Sequence, residues 1–122
     1  MQYQNFTGIM LYTNLKHIES ASEYNLVIHT SDNVMIICGR MDTNCVPVYR
    51  IVEELEGEYN QTGFYDMEFD NPESDVIRNL PEVSGLMSIP FSIYYRKGEI
   101  VQTTAGIQTK DQIAAILHQE FM

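Results

Sequence analysis

Positive charge is scarce in this chain: seven Lys and Arg stand against seventeen Asp and Glu, a formal charge of -10 over 122 residues. A surface of that sign repels polyanions at long range, which excludes nucleic acid as a natural partner. Its first use is solubility, and steering toward basic partners is a second. Long apolar runs are also missing, since nothing approaches the roughly 18 residues of a membrane span. Met1 to Leu15 has neither the basic start nor the apolar stretch of a signal peptide, so a cytoplasmic protein with no membrane partner is expected. Cysteine is limited to Cys38 and Cys45, which do not make a secreted disulfide framework. His17, His29 and His118 show no metal-ligand spacing with either cysteine and read as surface histidines; no metal and no cofactor are expected. Low-complexity tracts, repeats and linkers are absent as well. One domain over 1–122 follows, long enough to bury about two-thirds of its unfolded surface without staples.

What is present is a sequence of short patterned segments. Leu15, Ile18, Tyr24 and Ile28 have loose helical spacing among polar residues, which predicts a helix over 15–33 ending at Ser31-Asp32-Asn33. Val34 to Cys38 is apolar on both faces and ended by Gly39, as in a strand covered on both sides. Polar, cap-rich residues 40–44 then lead into Cys45, Val48, Tyr49, Val52, Leu55 and Tyr59, which share one helix face. Pro47 suits the first turn of that helix, where its missing N–H is no loss. Cys45 is thus placed at a helix N-terminus, and Glu53, Glu54, Glu56 and Glu58 form the solvated side.

A second strand is predicted over 64–69 and one or two short helices over 73–86, with a break at Pro81. Residues 91–95 and 100–104 are β-prone runs around Arg96-Lys97-Gly98-Glu99 and predict a hairpin, with one of Tyr94 and Tyr95 in the core and the other exposed. Thr109-Lys110-Asp111-Gln112 is a capping box before Ile113, Ile116, Leu117 and Phe121, an amphipathic final helix. Together these give an α/β fold, a mixed central sheet with helices on both faces.

This order resembles the thioredoxin family, and two stretches carry the resemblance. VMIICGRMDTNCVPVYRIVEELEGEY (34–59) is similar to the family's buried strand, active-site loop and long helix without a gap. SGLMSIPFSIYYRKGEIVQTTAGIQTKDQIAAIL (84–117) is similar to its cis-proline segment, terminal hairpin and last helix. Together they cover about half the chain. The resemblance implies the thioredoxin fold and a cis Ile89-Pro90 bond facing the cysteine loop. It also implies that Met41-Asp42-Thr43-Asn44-Cys45 lies where the family has Trp-Cys-Gly-Pro-Cys. Asp42 then replaces the first, nucleophilic cysteine; Ile36 replaces the family's buried acid, and Cys38 an aromatic residue.

Cys45 is the catalytic candidate, and Met41, Asp42, Thr43, Asn44, Ile89 and Pro90 are the substrate-binding candidates. Two functions remain open. An atypical monothiol thiol-disulfide oxidoreductase or redox-responsive protein would use Cys45 on a protein or a low-molecular-weight thiol or disulfide, with an external thiol for release. A non-catalytic binding module would instead hold an extended peptide in the groove between residues 41–45 and Ile89-Pro90. The helix N-terminus favours the Cys45 thiolate and the Asp42 carboxylate opposes it. A small, inert, partly buried thiol is the commoner fate of a lone cysteine. The Thr-x-x-Cys pattern of peroxiredoxins does not fit, because Asp42 stands three before Cys45 and Thr43 is one place off.

Overall fold

The computed structural model describes residues 11–86 and 88–122; residues 1–10, on which much of the signal-peptide reading rests, and Met87 lie outside them. The elements are β1 (Lys16–Ile18), α1 (Ala21–Val27), β2 (Asn33–Gly39), α2 (Val46–Glu56), β3 (Thr62–Glu68), a 3-10 turn at Pro72–Ser74, α3 (Asp75–Arg78), α4 (Pro81–Ser84), β4 (Phe91–Arg96), β5 (Glu99–Ala105) and α5 (Lys110–Phe121). The strands form one mixed sheet in the order β1-β3-β2-β4-β5. β1, β3 and β2 run parallel, and β4 and β5 are antiparallel to their neighbours.

β2 lies in the middle, and its double-sided apolar pattern is satisfied by two separate cores. Met35 and Ile37 pack with Val48, Tyr49, Val52 and Leu55 of α2 and with Ile113 and Leu117 of α5. Val34, Ile36 and Cys38 pack on the opposite face with Tyr24 and Val27 of α1, Ile77 and Val83. The architecture is an α/β thioredoxin fold with helices on both faces.

The expected helix over 15–33 is corrected to a three-residue strand followed by a seven-residue helix. Its apolar spacing had two sources. Leu15 and Ile18 are buried from a loop and from edge strand β1, whereas Tyr24 and Val27 are buried from α1. The helix starts where Ser20, in extended conformation, accepts the Glu23 N–H through its side chain at 3.1 Å. The Tyr94 and Tyr95 reading is also corrected. Both are buried, because β4 is an inner strand covered on its two faces. Helix α2 stops at Glu56 with Gly57 as its C-cap, short of Tyr59, which still packs against the core. Pro81 opens α4, as a first-turn proline can, and α5 carries the full Thr109/Gln112 capping box.

Candidate functional site

The site forms where β2 ends and the chain turns into α2. At Gly39 the backbone enters a crowded corner: a Cβ built there would lie 2.6 Å from Tyr49 Oη, 2.9 Å from Cys45 Sγ and 3.2 Å from Pro90 Cβ. Only a residue without a side chain permits that approach. Arg40 then turns outward and is fixed by a two-pronged ion pair with Asp70, Nε to Oδ2 at 2.6 Å and Nη2 to Oδ1 at 2.9 Å. Its guanidinium lies over the Phe69 ring at 5.1 Å. The Arg40 carbonyl accepts from the Tyr49 hydroxyl at 2.9 Å, which ties the loop to the body of α2.

Asp42 folds back on its own loop. Its Oδ1 accepts the backbone N–H of Cys45 at 2.7 Å and of Asn44 at 3.0 Å, and its carbonyl accepts the Val46 N–H at 3.0 Å. The carboxylate therefore satisfies N–H groups that would otherwise be unpaired at a helix start. The Cys45 N–H bond, foremost, holds its carboxyl below the usual carboxylate range. Cys45 is 0% exposed. Its sulfur accepts a long hydrogen bond from the Arg40 N–H at 3.5 Å. Burial, joined by the neighbouring Asp42 carboxylate, pushes the thiol up to about 11 against the pull of that N–H.

The Ile89–Pro90 bond is cis, and the Pro90 carbonyl accepts the Gly106 N–H at 2.8 Å. Cys45 Sγ and Pro90 Cβ thus flank the same point above Gly39. Met41 and Ile89 are half-buried against the core that contains Cys45, and the Met41 sulfur accepts the Tyr12 N–H at 3.3 Å. Five of the seven candidates, Met41, Asp42, Cys45, Ile89 and Pro90, are therefore gathered around one corner. Thr43 and Asn44 are exposed on the outer side of the turn. Beside Ile89 opens a cleft of about 210 Å³, lined by Arg40, Phe69, Leu86, Ser88, Ile89 and Phe91.

Cys38 is not part of this corner. It is fully buried in the core on the opposite face of the sheet, burial pushes its thiol far up, and both cysteines are free. Sequence reasoning did not reach Gly39, Arg40, Tyr49 and Asp70. A glycine at the end of a double-sided apolar strand is a signal of close backbone approach, whereas nothing in sequence marks Asp70 as the partner of Arg40.

A second polar cluster lies between edge strand β1 and β3. Asp66, 0% exposed, accepts hydrogen bonds from Thr13 Oγ1 at 2.5 Å and His17 Nδ1 at 2.6 Å. Burial raises its pKa despite these two partners. His17 is thus a half-exposed, paired residue rather than a free surface histidine, while His29 and His118 are exposed. Glu53, expected on the solvated side of α2, accepts the Asn14 N–H at 2.7 Å and pairs with Arg50. Among the described residues no three His, Cys, Asp or Glu side chains are gathered as a metal site, and no helix is long and apolar enough to cross a membrane.

No protein-family profile and no curated protein sequence matches the chain. Solved structures do. The chain is similar to a thioredoxin from Plasmodium falciparum, with a TM-score of 0.70 and 18% identity over 87% of this chain and 99% of that one. A mutant thioredoxin from Halobacterium salinarum gives a TM-score of 0.73 at 18% identity, covering 88% of this chain and 90% of that one. Oxidised thioredoxin O2 from Arabidopsis thaliana gives 0.74 at 13% identity, covering 92% and 98%. This is a protein of the thioredoxin fold.

Proposed function

We propose that this protein is a thioredoxin-fold binding module that holds an extended polypeptide segment at the surface formed by Met41–Cys45 and Ile89–Pro90. The observation that carries the reading is the state of Cys45. It is fully buried, and with a pKa near 11 only on the order of one thiol in ten thousand is ionised at neutral pH. Exchange requires a thiolate that can reach a disulfide, and Asp42, in the place of the nucleophile, supplies a cap instead of a sulfur. The binding surface needs no thiol. The half-buried Met41 and Ile89, with the cleft beside Ile89, offer an apolar contact for an extended chain, and the cleft has room for one apolar side chain.

Two measurements on the intact protein test this. Iodoacetamide should label Cys45 negligibly at pH 7, with labelling rising only toward pH 11. Titration of ¹⁵N-labelled protein with carboxymethylated insulin B chain, an extended polypeptide without free thiols, should shift amides of residues 41–45, 88–91 and 106. Rapid labelling at pH 7 would return the monothiol oxidoreductase reading to first place, whereas insulin reduction at the rate of a dithiol enzyme, abolished by Cys38→Ser, would make Cys38 and Cys45 a working pair and overturn both readings. Shifts scattered over the molecule, or none, would remove the binding surface.

A further inference from the structure

The proposed binding surface is apolar on one side and anionic on the other. On the apolar side, the cleft beside Ile89 has Phe69, Leu86 and Phe91 in its walls and Arg40 as its one charged residue. Arg40 is not a free cation. Asp70 takes both its Nε and its Nη2, and Glu68, 7% exposed, accepts the Asp70 N–H at 2.5 Å. The bond to Asp70, joined by the charges of Glu68 and Asp42, raises the Arg40 pKa, so three carboxylates surround one guanidinium. On the anionic side stands Asp42. The two N–H groups it caps both fall on Oδ1, Oδ2 takes neither, and no cation among the described residues forms an ion pair with this carboxylate. Those bonds, the Cys45 one foremost, hold its pKa below the ordinary value, so it is charged at neutral pH. Tyr12, whose N–H reaches the Met41 sulfur, is 66% exposed and brings an aromatic residue to the same turn. A carboxylate oxygen without a partner next to an exposed aromatic residue is a pairing that holds an ammonium or guanidinium group.

We propose that the segment held at this surface is basic: an apolar side chain fills the cleft beside Ile89, and a Lys or Arg two residues away pairs with Asp42. The inference rests on the binding reading above and narrows its ligand. The spacing follows from the chain itself. Arg40, which lines the cleft, and Asp42 are two residues apart, so their Cα atoms lie within about 7 Å. Side chains two apart on an extended segment point the same way and are separated by a similar distance, ~7 Å. An acidic ligand is disfavoured twice over. The one cation at the cleft already holds a carboxylate, and a chain of formal charge -10 repels an acidic partner at a distance while speeding the approach of a basic one.

Short capped peptides in a Gly-Ser background, titrated into the intact ¹⁵N-labelled protein, test this. One carries Leu and, two residues on, Lys; a second has Glu for that Lys, and a third has Ala for the Leu. The Leu/Lys peptide should shift amides of residues 41–45 and 88–91. It should bind at least about fivefold more tightly than the Leu/Glu peptide at low salt, a margin that added salt narrows. The Ala peptide should also bind at least about fivefold more weakly, through the lost contact in the cleft. Asp42→Asn keeps a capping oxygen but drops the charge, so it should erase the Lys-over-Glu preference and leave the Leu-over-Ala preference in place. Glu99→Gln removes one charge at the start of β5, the end away from Gly106 and Pro90, and should leave both preferences. Amide spectra of the free variants check that the fold is kept. Equal affinity for the Lys and Glu peptides, a Lys preference that survives Asp42→Asn, or equal affinity for the Leu and Ala peptides would each overturn this inference and leave the binding surface standing. No shift from any peptide, where insulin B chain still shifts those amides, would do the same. No shift from the peptides or from insulin B chain would instead remove the surface itself, and this inference with it.

Discussion

Asp42 turns a position where the resemblance expects a nucleophile into a structural one. Its carboxylate caps two N–H groups and at the same time keeps a negative charge beside the Cys45 thiol. Asp42→Ala should therefore have two opposed effects. Stability should fall by about 1 kcal/mol, the ordinary cost of a lost cap, measured by urea unfolding at pH 7. The Cys45 pKa should drop, because a like charge is removed, and the alkylation profile should move to lower pH. The stability cost depends on pH in a definite direction. A carboxyl whose pKa is lowered on folding contributes stability above its unfolded value, near ~4, and loses it as the pH falls through the folded value. Wild type and variant should therefore converge in stability below about pH 4. Gly39 sets the neighbouring limit: any added side chain would collide with Tyr49, Cys45 and Pro90 together, so this corner accepts changes in loop chemistry more readily than a change in backbone approach.

Among the elements, β1 depends most on a single contact. Three ladder residues give little pairing, and the hydrogen bonds of Thr13 and His17 to buried Asp66 add a clip between the incoming chain and β3. Burial raises the Asp66 pKa on folding. The folded state therefore holds its proton more tightly, and stability declines as the pH rises from the unfolded value near ~4 up to the raised folded value. Asp66→Asn should remove that decline, so its stability relative to wild type should rise over this interval and then level off; chemical unfolding at a series of pH values measures it. β1 was also the element least legible in sequence. Three residues are too few to show a period of two, and Leu15 and Ile18 fall by chance at helical spacing from Tyr24. The Ser20-x-x-Glu23 cap was the available signal and marks the true helix start. Legibility was high where a pattern was long or chemically marked: β2 by its double-sided apolar run, α2 by a four-residue core face behind Pro47, α5 by its capping box. Of the site, the loop and the proline could be read because they are local. The Arg40–Asp70 pair and the Tyr49 hydroxyl could not, since they join residues 30 and nine positions apart.

At the scale of the whole molecule the excess of ten negative charges opposes compaction. Few counter-pairs relieve it among the described residues: Lys110 at the start of α5 bridges to Glu54 of α2 and to Glu58 in the turn after it, and Arg40, Arg50 and Arg78 each hold one carboxylate. Screening should then help the fold more than it harms these exposed pairs. The melting temperature should increase as sodium chloride is raised from 10 mM, where the Debye length is about 30 Å, to 0.15 M, where it is about 8 Å. A flat or falling dependence in a calorimetric series would show that the pairs outweigh the net repulsion. The connectivity of the sheet has a further consequence, in the order of assembly. β4 and β5 are joined by a tight turn and close a short loop, whereas β1 must find β3 across the whole of α1, β2 and α2. Closing the longer loop costs more chain entropy and returns only three ladder residues. β1 should therefore dock last and open first, as the site of earliest amide exchange in the sheet, leaving the hairpin edge and the Gly39 corner formed while the opposite margin comes and goes.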